Sequence, residues 1–133
     1  MTAAKGLLDT NVFIAQERSR SLVIESLPDE GFISVITLAE LQAGVLAAVS
    51  TEVRATRLET LEAVSALEPL TVTAPAAAQW ARLRVRLAEE GRKLNVNDLW
   101  IASVALANDM PVVTQDNDFD VLADLALIDL IRV

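Results

Sequence analysis

The chain has 133 residues and contains neither cysteine nor histidine. Without cysteine, disulfide bonds and thiolate metal sites are excluded. Without histidine, the chain lacks the side chain that most often acts as a general base near neutral pH and most often binds transition metals. A bound metal must therefore be held by oxygen ligands, which favours Mg²⁺ or Mn²⁺.

Long hydrophobic runs are also absent, although 53% of the residues are hydrophobic. The longest apolar run, residues 101–107, is interrupted by a serine and falls well short of the ~18 residues that a membrane-spanning helix needs. The first residues lack the apolar core of a signal peptide. We therefore expect a cytoplasmic protein without a membrane segment, and the length favours one domain over residues 1–133.

Short apolar segments alternate with segments of helical spacing along the chain. Strands are predicted at residues 7–8, 32–34, 70–72, 112–114 and 127–131. Helices are predicted at residues 12–27 (one bent helix or two short ones), 37–49, 53–68, 75–91 and 97–107. The last of these is apolar on all sides, so we expect it inside the domain. The alternation predicts an α/β fold with a mostly parallel central sheet of about five strands, covered on both faces.

Four acidic residues occupy related positions in this pattern. Asp9 and Asp116 come just after strands, and Glu40 and Asp98 lie in the first turns of helices, the second of which Asn97 is expected to cap. In a parallel sheet these positions converge where ligands bind, beyond the carboxyl ends of the strands. Each acid alone also has a simpler interpretation: Asp9 can be a helix cap, and Glu40 a favourable charge at a helix N-terminus.

Together, the four acids indicate a metal site. Crowded carboxylates raise each other's pKa values by repulsion, and a divalent cation relieves that repulsion by taking them as ligands. Oxygen-bound Mg²⁺ activates water and stabilises the charge on phosphate. An acidic cluster without histidine or cysteine therefore suits metal-assisted phosphodiester cleavage better than acyl transfer or proton-relay chemistry.

The motifs around these acids carry a resemblance to a known family. They are Leu-Asp-Thr-Asn-Val at 8–12, Ile-Thr-Leu-Ala-Glu-Leu at 36–41, Asn-Asp-Leu-Trp-Ile-Ala at 97–102 and Val-Thr-Gln-Asp-Asn-Asp-Phe at 113–119. In this order and spacing, over nearly the whole chain, the sequence resembles a PIN domain and, more narrowly, the VapC toxins of bacterial type II toxin–antitoxin systems. The resemblance implies a three-layer α/β/α fold and an Mg²⁺- or Mn²⁺-dependent endoribonuclease. It also implies a homodimer, silenced by a cognate VapB-like antitoxin bound across its active site.

The resemblance also implies roles for individual residues. Carried over by position, the acidic quartet that holds the metal is Asp9, Glu40, Asp98 and Asp116. The polar residues that orient the acids or the water are Thr10, Asn11 and Thr114. Asp118 either contacts the metal through water or only caps the short helix around Phe119. Gln115 stands where many relatives have a basic residue, which argues against a phosphate contact there and leaves the metal site intact.

A net charge of −8 argues against nucleic-acid binding, but the basic residues are unevenly distributed. Five of the eleven lie in one basic strip, Arg82, Arg84, Arg86, Arg92 and Lys93. Arg82 and Arg86 are four apart on one predicted helix and can face the same side, while Arg92 and Lys93 precede Asp98 in a connector. We expect Arg92 and Lys93 to guide RNA phosphates, with Arg82 and Arg86 extending the track. The alternative is that the strip only solvates the surface, pairing with Glu89 and Glu90.

Two other functions remain to be distinguished. A phospho-acceptor signalling domain also gathers acids and a threonine at strand ends to bind Mg²⁺, but such domains pair two acids at the first strand and place a lysine after the last. Here Thr10 follows Asp9, and the last predicted strand runs into Arg132. An inactive PIN scaffold that only binds partners is the second alternative, and the complete acidic quartet argues against it.

Overall fold

The computed structural model describes residues 2–133. Four strands form one sheet, β1 (Lys5–Leu8), β2 (Glu30–Phe32), β3 (Val112–Thr114) and β4 (Leu130–Arg132). Their spatial order is β2-β1-β3-β4, and every neighbouring pair is parallel. Because the strands are all parallel, their carboxyl ends lie at the same edge of the sheet. Each connection between parallel neighbours must then cross over from one edge to the other.

Six α-helices fill the connections. They are α1 (Thr10–Glu17), α2 (Val35–Ala47), α3 (Thr51–Val64), α4 (Ala74–Glu89), α5 (Val96–Ala107) and α6 (Asp120–Asp124). Ser34, Ser50 and Thr73 cap α2, α3 and α4, each through a side-chain oxygen that accepts the backbone amide three residues later. Local capping signals in the sequence therefore set where three of the helices begin.

The sheet is covered on both faces, as expected for three layers. Successive strand residues face opposite sides, so Leu7 and Val112 pack into a core formed with α4 and α5. On the other face, Val113 packs with Val12 of α1 and with Val133. Residues 101–105 of α5 are all buried. The predicted α/β/α arrangement and the placement of the apolar helix inside the domain are confirmed.

The predicted strand at residues 70–72 is wrong, and the sheet has four strands rather than five. Only Leu70 pairs, in an isolated parallel bridge with Ser34; its amide donates to the Ile33 carbonyl at 2.8 Å and its carbonyl accepts the Val35 amide at 3.0 Å. The chain then turns away at once, because Thr73 caps α4. The apolar and β-branched residues at 70–72 predicted a strand, but the start of α4 leaves no room for further pairing.

Several other boundaries differ from the sequence prediction. β2 ends at Phe32 instead of residue 34, and α2 begins at Val35 instead of residue 37, because Ser34 caps that helix. The helix expected over residues 12–27 ends at Glu17, where the chain leaves through Ser19 in the left-handed region (φ 54°), and a 3-10 turn follows at Ile24–Ser26. The last strand begins at Leu130 instead of residue 127, because the Leu127 amide donates to the Leu122 carbonyl and closes α6. Across residues 2–133, no helix combines the length and the apolarity that crossing a bilayer requires.

Candidate active site

Asp9 is the first residue after β1, and it is tied to the neighbouring strand. Its amide donates to the Val113 carbonyl of β3 at 2.8 Å, which holds it at the carboxyl edge of the sheet. Its Oδ1 accepts the Thr10 amide at 2.8 Å and caps α1, and its Oδ2 accepts the Thr114 hydroxyl at 3.1 Å. Asp9 therefore caps a helix, as the simpler interpretation of the sequence allowed. Its carboxylate is also buried, since the residue is only 4% exposed.

A cavity of about 470 Å³ opens at this edge, which we call the acidic pocket. Its acidic lining residues are Asp9, Glu40, Asp98, Asp116 and Asp118. The structure thus brings together all four members of the predicted quartet, with Asp118 beside them. They come from separate parts of the chain, because the ends of β1 and β3, the second turn of α2 and the first turn of α5 meet there. The predicted first-turn position of Glu40 is wrong, because Ser34 caps α2 and the helix begins at Val35.

The electrostatics of the acidic pocket show how crowded it is. Burial raises the pKa of Asp9 to about 7, with repulsion from Asp98 and Asp116 adding to the effect. Two hydrogen bonds oppose this rise, one from the Thr114 hydroxyl and a weaker one from the Thr10 amide. Near neutral pH, Asp9 is therefore poised between its protonated and charged forms.

Asp98 titrates in the same range for similar reasons. Burial raises its pKa to about 7, and repulsion from Asp118, Glu40 and Asp116 adds to it. Burial and the neighbouring Asp116 also raise the pKa of Asp118. Acidic groups that raise one another's pKa values at one place are typical of cation-binding and catalytic clusters.

Asn11 and Thr114 orient Asp9 through a defined set of hydrogen bonds. Asn11 Oδ1 accepts the Gln115 amide at 3.1 Å, which leaves its Nδ2 to donate to Thr114 Oγ1 at 3.0 Å. Thr114 Oγ1 is fully buried and directs its proton to Asp9 Oδ2. The polar residues carried over from the resemblance therefore lie where they can hold the Asp9 carboxylate in one orientation.

Glu40 is held at both of its oxygens. Thr10 Oγ1 donates to Glu40 Oε1 at 2.7 Å, and Asn97 Nδ2 lies 3.5 Å from Oε2. Asn97 was the predicted cap of α5, but Asn95 caps this helix by accepting the Asn97 and Asp98 amides. The two-residue shift frees the Asn97 side chain to reach Glu40. Sequence reasoning missed this contact because two asparagines in the same segment could each serve as the cap.

Asp118 and Gln115 occupy the loop after β3. Phe119 stands at the N-cap position of α6 and makes no side-chain capping bond, while Asp118 lines the acidic pocket and its amide donates to Asp116 Oδ1 at 3.0 Å. The Gln115 side chain donates to the Ser21 carbonyl at 2.8 Å. Gln115 therefore ties the chain after α1 to the loop that carries the acids.

The basic strip is divided between two places. Lys93 lines the acidic pocket, and Arg92 is exposed next to it in the chain. Arg82 and Arg86 do share one side of α4, as expected, but they line a separate cavity of about 710 Å³ with Leu106 of α5. Arg82 donates to Gln79 at 2.8 Å, and Arg86 forms an ion pair with Glu90 at 3.1 Å. The structure thus separates Arg82 and Arg86 from the acids.

The ligands available in the acidic pocket fit a hard divalent cation. They are carboxylate oxygens supported by hydroxyl and amide groups, the donor set that Mg²⁺ and Mn²⁺ favour. Among residues 2–133, no three acidic side chains converge closely enough to enclose an ion by themselves. An ion in this pocket would complete its coordination with water, as Mg²⁺ commonly does when one or two carboxylates bind it.

Comparisons with known proteins agree with this fold and site. The PIN domain family profile matches residues 6–125. The chain is 53% identical to Ribonuclease VapC5 of Mycobacterium tuberculosis over 132 residues, covering 99% of this chain and 98% of that protein. It is 36% identical to Ribonuclease VapC4 of the same organism, covering 96% and 98%.

Solved structures show the same similarity in three dimensions. The VapBC-5 toxin–antitoxin structure from Mycobacterium tuberculosis matches with a TM-score of 0.90 and 52% identity, covering 98% of this chain and 99% of that one. VapBC2 from Rickettsia felis, bound to a promoter DNA fragment, matches at 0.76 and 27%, covering 95% and 96%. The chain belongs to the PIN domain family. Within that family, it is similar to proteins named VapC.

Proposed function

We propose that the chain is an endoribonuclease, the toxin component of a type II toxin–antitoxin system, which hydrolyses RNA phosphodiester bonds with Mg²⁺ or Mn²⁺. The observation that carries the proposal is the gathering of Asp9, Glu40, Asp98 and Asp116 in one pocket at the carboxyl edge of a parallel sheet. The ribonuclease names of relatives at 53% and 36% identity support it. Membership of the PIN family also removes the basis of the phospho-acceptor alternative.

The four acids line the pocket that would hold the ion, with water completing its coordination. The bound ion would activate water and stabilise the charge on phosphate. The chain's other residues prepare that site. Thr114 directs its hydroxyl at Asp9, and Thr10 and Asn97 orient Glu40. Because Asp9 and Asp98 both have pKa values of about 7, ion binding near neutral pH requires them to release protons. Lys93, at the rim of the acidic pocket, is placed to attract a phosphate group.

Cleavage of labelled RNA by the purified full chain tests the proposal. We expect cleavage with Mg²⁺ or Mn²⁺, none with excess EDTA, and recovery when the ion is restored. Asp116→Asn should reduce cleavage at least about a hundredfold, because it removes a charge that balances the cation. Asp124→Asn is the matched control, since Asp124 is exposed on α6 and does not line the acidic pocket. Cleavage in EDTA, or equal loss in both variants, would contradict the proposal.

The proposed partner is a VapB-like antitoxin. Two of the solved relatives are VapB–VapC complexes, and the crowded acids of the pocket would favour a cationic side chain. We expect an antitoxin to present an apolar segment with an arginine or lysine that reaches the carboxylates in place of the ion. Co-expression with a VapB-like antitoxin should suppress RNA cleavage, and replacing that basic residue of the antitoxin by alanine should restore it. A bound partner that leaves cleavage undiminished argues against this assignment.

We also propose, from the family resemblance, that residues 1–133 act as one PIN-like domain and that two copies form a homodimer. Light scattering during size-exclusion chromatography measures the mass directly. A monomer at micromolar concentration would contradict the dimer and leave the proposed reaction standing. Sequencing the 5′ ends of RNAs after controlled expression would identify the bonds that are cut.

A further inference from the structure

Thr37 is a fully buried polar residue beside the acidic pocket. It lies in α2 one turn before Glu40, and residues three apart on a helix share a face. The Thr37 amide donates to the Ser34 hydroxyl that caps α2, at 3.2 Å, which holds its backbone in place. Its own hydroxyl lies 3.0 Å from the hydroxyl of Thr10.

The direction of this contact follows from counting protons. A hydroxyl group has one proton to donate, and an ionised carboxylate can only accept. Thr10 Oγ1 lies 2.7 Å from Glu40 Oε1, so the Thr10 proton is used in that bond. The 3.0 Å contact between the two threonines can then form only if Thr37 donates to Thr10. Within residues 2–133, Thr10 is the one partner that the Thr37 hydroxyl contacts at hydrogen-bond distance.

We infer that Thr37 is a positioning residue for Glu40, acting through Thr10. By donating to Thr10 Oγ1, the Thr37 hydroxyl commits the only proton of Thr10 to Glu40 Oε1, and the two bonds strengthen each other. The other hold on Glu40, from Asn97, is long at 3.5 Å. The orientation of Glu40 towards the pocket therefore depends mainly on the pair Thr37–Thr10. The inference rests on the proposed function in that it treats Glu40 as a ligand of the ion.

Removal of the Thr37 hydroxyl should weaken ion binding without removing any ligand. Thr37→Val keeps the branched shape but leaves the buried Thr10 oxygen without its donor, so Thr10 can turn away from Glu40. Loss of such an outer partner typically costs 10- to 100-fold in metal affinity. We expect the dissociation constant for Mn²⁺, measured by isothermal titration calorimetry on the full chain, to rise about tenfold. Thr37→Ser, which keeps the hydroxyl, should bind Mn²⁺ as the unchanged chain does.

Ser103→Ala is the matched control. Ser103 is equally buried, but its hydroxyl donates to the Leu99 carbonyl within α5 and lies outside the acidic pocket. If Thr37 were only structural, Thr37→Val and Ser103→Ala would both lower the melting temperature and leave the Mn²⁺ affinity unchanged, which would overturn the inference. Thr37→Ala removes the same hydroxyl without placing a second methyl group against Thr10. It replaces Thr37→Val in every comparison if that variant does not fold.

A crystal structure of the Thr37→Val or Thr37→Ala variant separates this inference from the proposed function. We expect Glu40 Oε1 to lose its short contact with Thr10 Oγ1. If that contact persists at its present length, the inference is wrong, whether or not the protein binds metal. If the unchanged chain neither binds Mn²⁺ nor cleaves RNA, the proposed function fails, and the position of Glu40 in the variant still decides whether Thr37 positions it.

Discussion

The hydroxyl of Thr114 donates to Asp9 Oδ2 across 3.1 Å, although 105 residues separate the two in the sequence. Their strands, β3 and β1, are parallel neighbours, so both side chains emerge at the same edge of the sheet. The bond stabilises the charged form of Asp9 and opposes the rise in its pKa caused by burial. The pairing of β1 with β3 therefore influences the pKa of Asp9, because it places Thr114 beside this carboxylate.

Thr114→Val should move the pH dependence of cleavage. Without the hydroxyl, the charged carboxylate loses a donor, so the pKa of Asp9 should rise above its present value of about 7. We expect the acidic limb of the pH–rate profile to shift upward by about one pH unit. Thr114→Ser, which keeps the hydroxyl, should restore the original profile. A profile that is lower at every pH but not shifted would show that Thr114 acts on something other than this protonation.

Asp98→Asn should abolish most cleavage while leaving the fold intact. The substitution keeps the size of the side chain and its place in the first turn of α5 but removes a charge that the ion requires. Because burial and neighbouring acids already destabilise the charged form of Asp98, the variant should be at least as stable as the unchanged chain in EDTA. Thermal melts and RNA cleavage assays measure both effects. A large fall in melting temperature would mean that Asp98 is structural.

The raised pKa of Asp9 predicts how stability depends on pH in the presence of a chelator. Between the unfolded value of 3.8 and the folded value of about 7, the folded chain holds more protons than the unfolded chain. The Asp9 contribution to the free energy of unfolding therefore falls as pH rises through this window and is constant above it. Asp9→Asn removes the effect and retains a capping side chain.

Urea unfolding of the two proteins from pH 4 to pH 8 in EDTA measures this contribution. We expect Asp9→Asn to gain stability relative to the unchanged chain as pH rises, reaching about 1–3 kcal/mol near neutral pH. Comparing the two proteins at each pH cancels the titration of distant groups. A difference that does not vary with pH would contradict the assigned shift.

Arg92→Gln with Lys93→Gln should weaken RNA binding. Lys93 lines the acidic pocket, and phosphate contacts release counterions when they form. We expect lower affinity and a shallower dependence of the binding constant on salt, by about one to two in logarithmic slope. Mn²⁺ affinity should not change. Fluorescence anisotropy in EDTA at several salt concentrations provides the measurement.

Arg82→Gln with Arg86→Gln is the control for that double variant. It removes the same charge from α4, but these side chains line a separate cavity, and one of them pairs with Glu90. If the phosphate track includes only the connector, this variant keeps the salt slope of the unchanged chain. Equal slopes for both double variants and the unchanged chain would mean that the whole basic strip only solvates the surface.

Much of the fold was predictable because its signals are local. The apolar pattern of α5 required burial on all sides whatever packed against it. The alternation of strands and helices implied parallel pairing, and parallel pairing implied that Asp9 and Asp116 would meet at one edge. The absence of cysteine and histidine by itself limits the possible metal ligands to oxygen atoms.

Other features depended on distances between remote segments, which local patterns do not encode. Leu70 forms a single bridge instead of a strand because the chain turns towards α4 after it. Asn95 caps α5 instead of Asn97, so the side-chain amide of Asn97 is free to contact Glu40. Nothing in the local sequence marks Thr37, because only packing brings its hydroxyl to 3.0 Å from that of Thr10. Composition and periodicity specify which face of an element is buried, whereas a hydrogen bond between side chains requires the rotation and register of two elements to be set together.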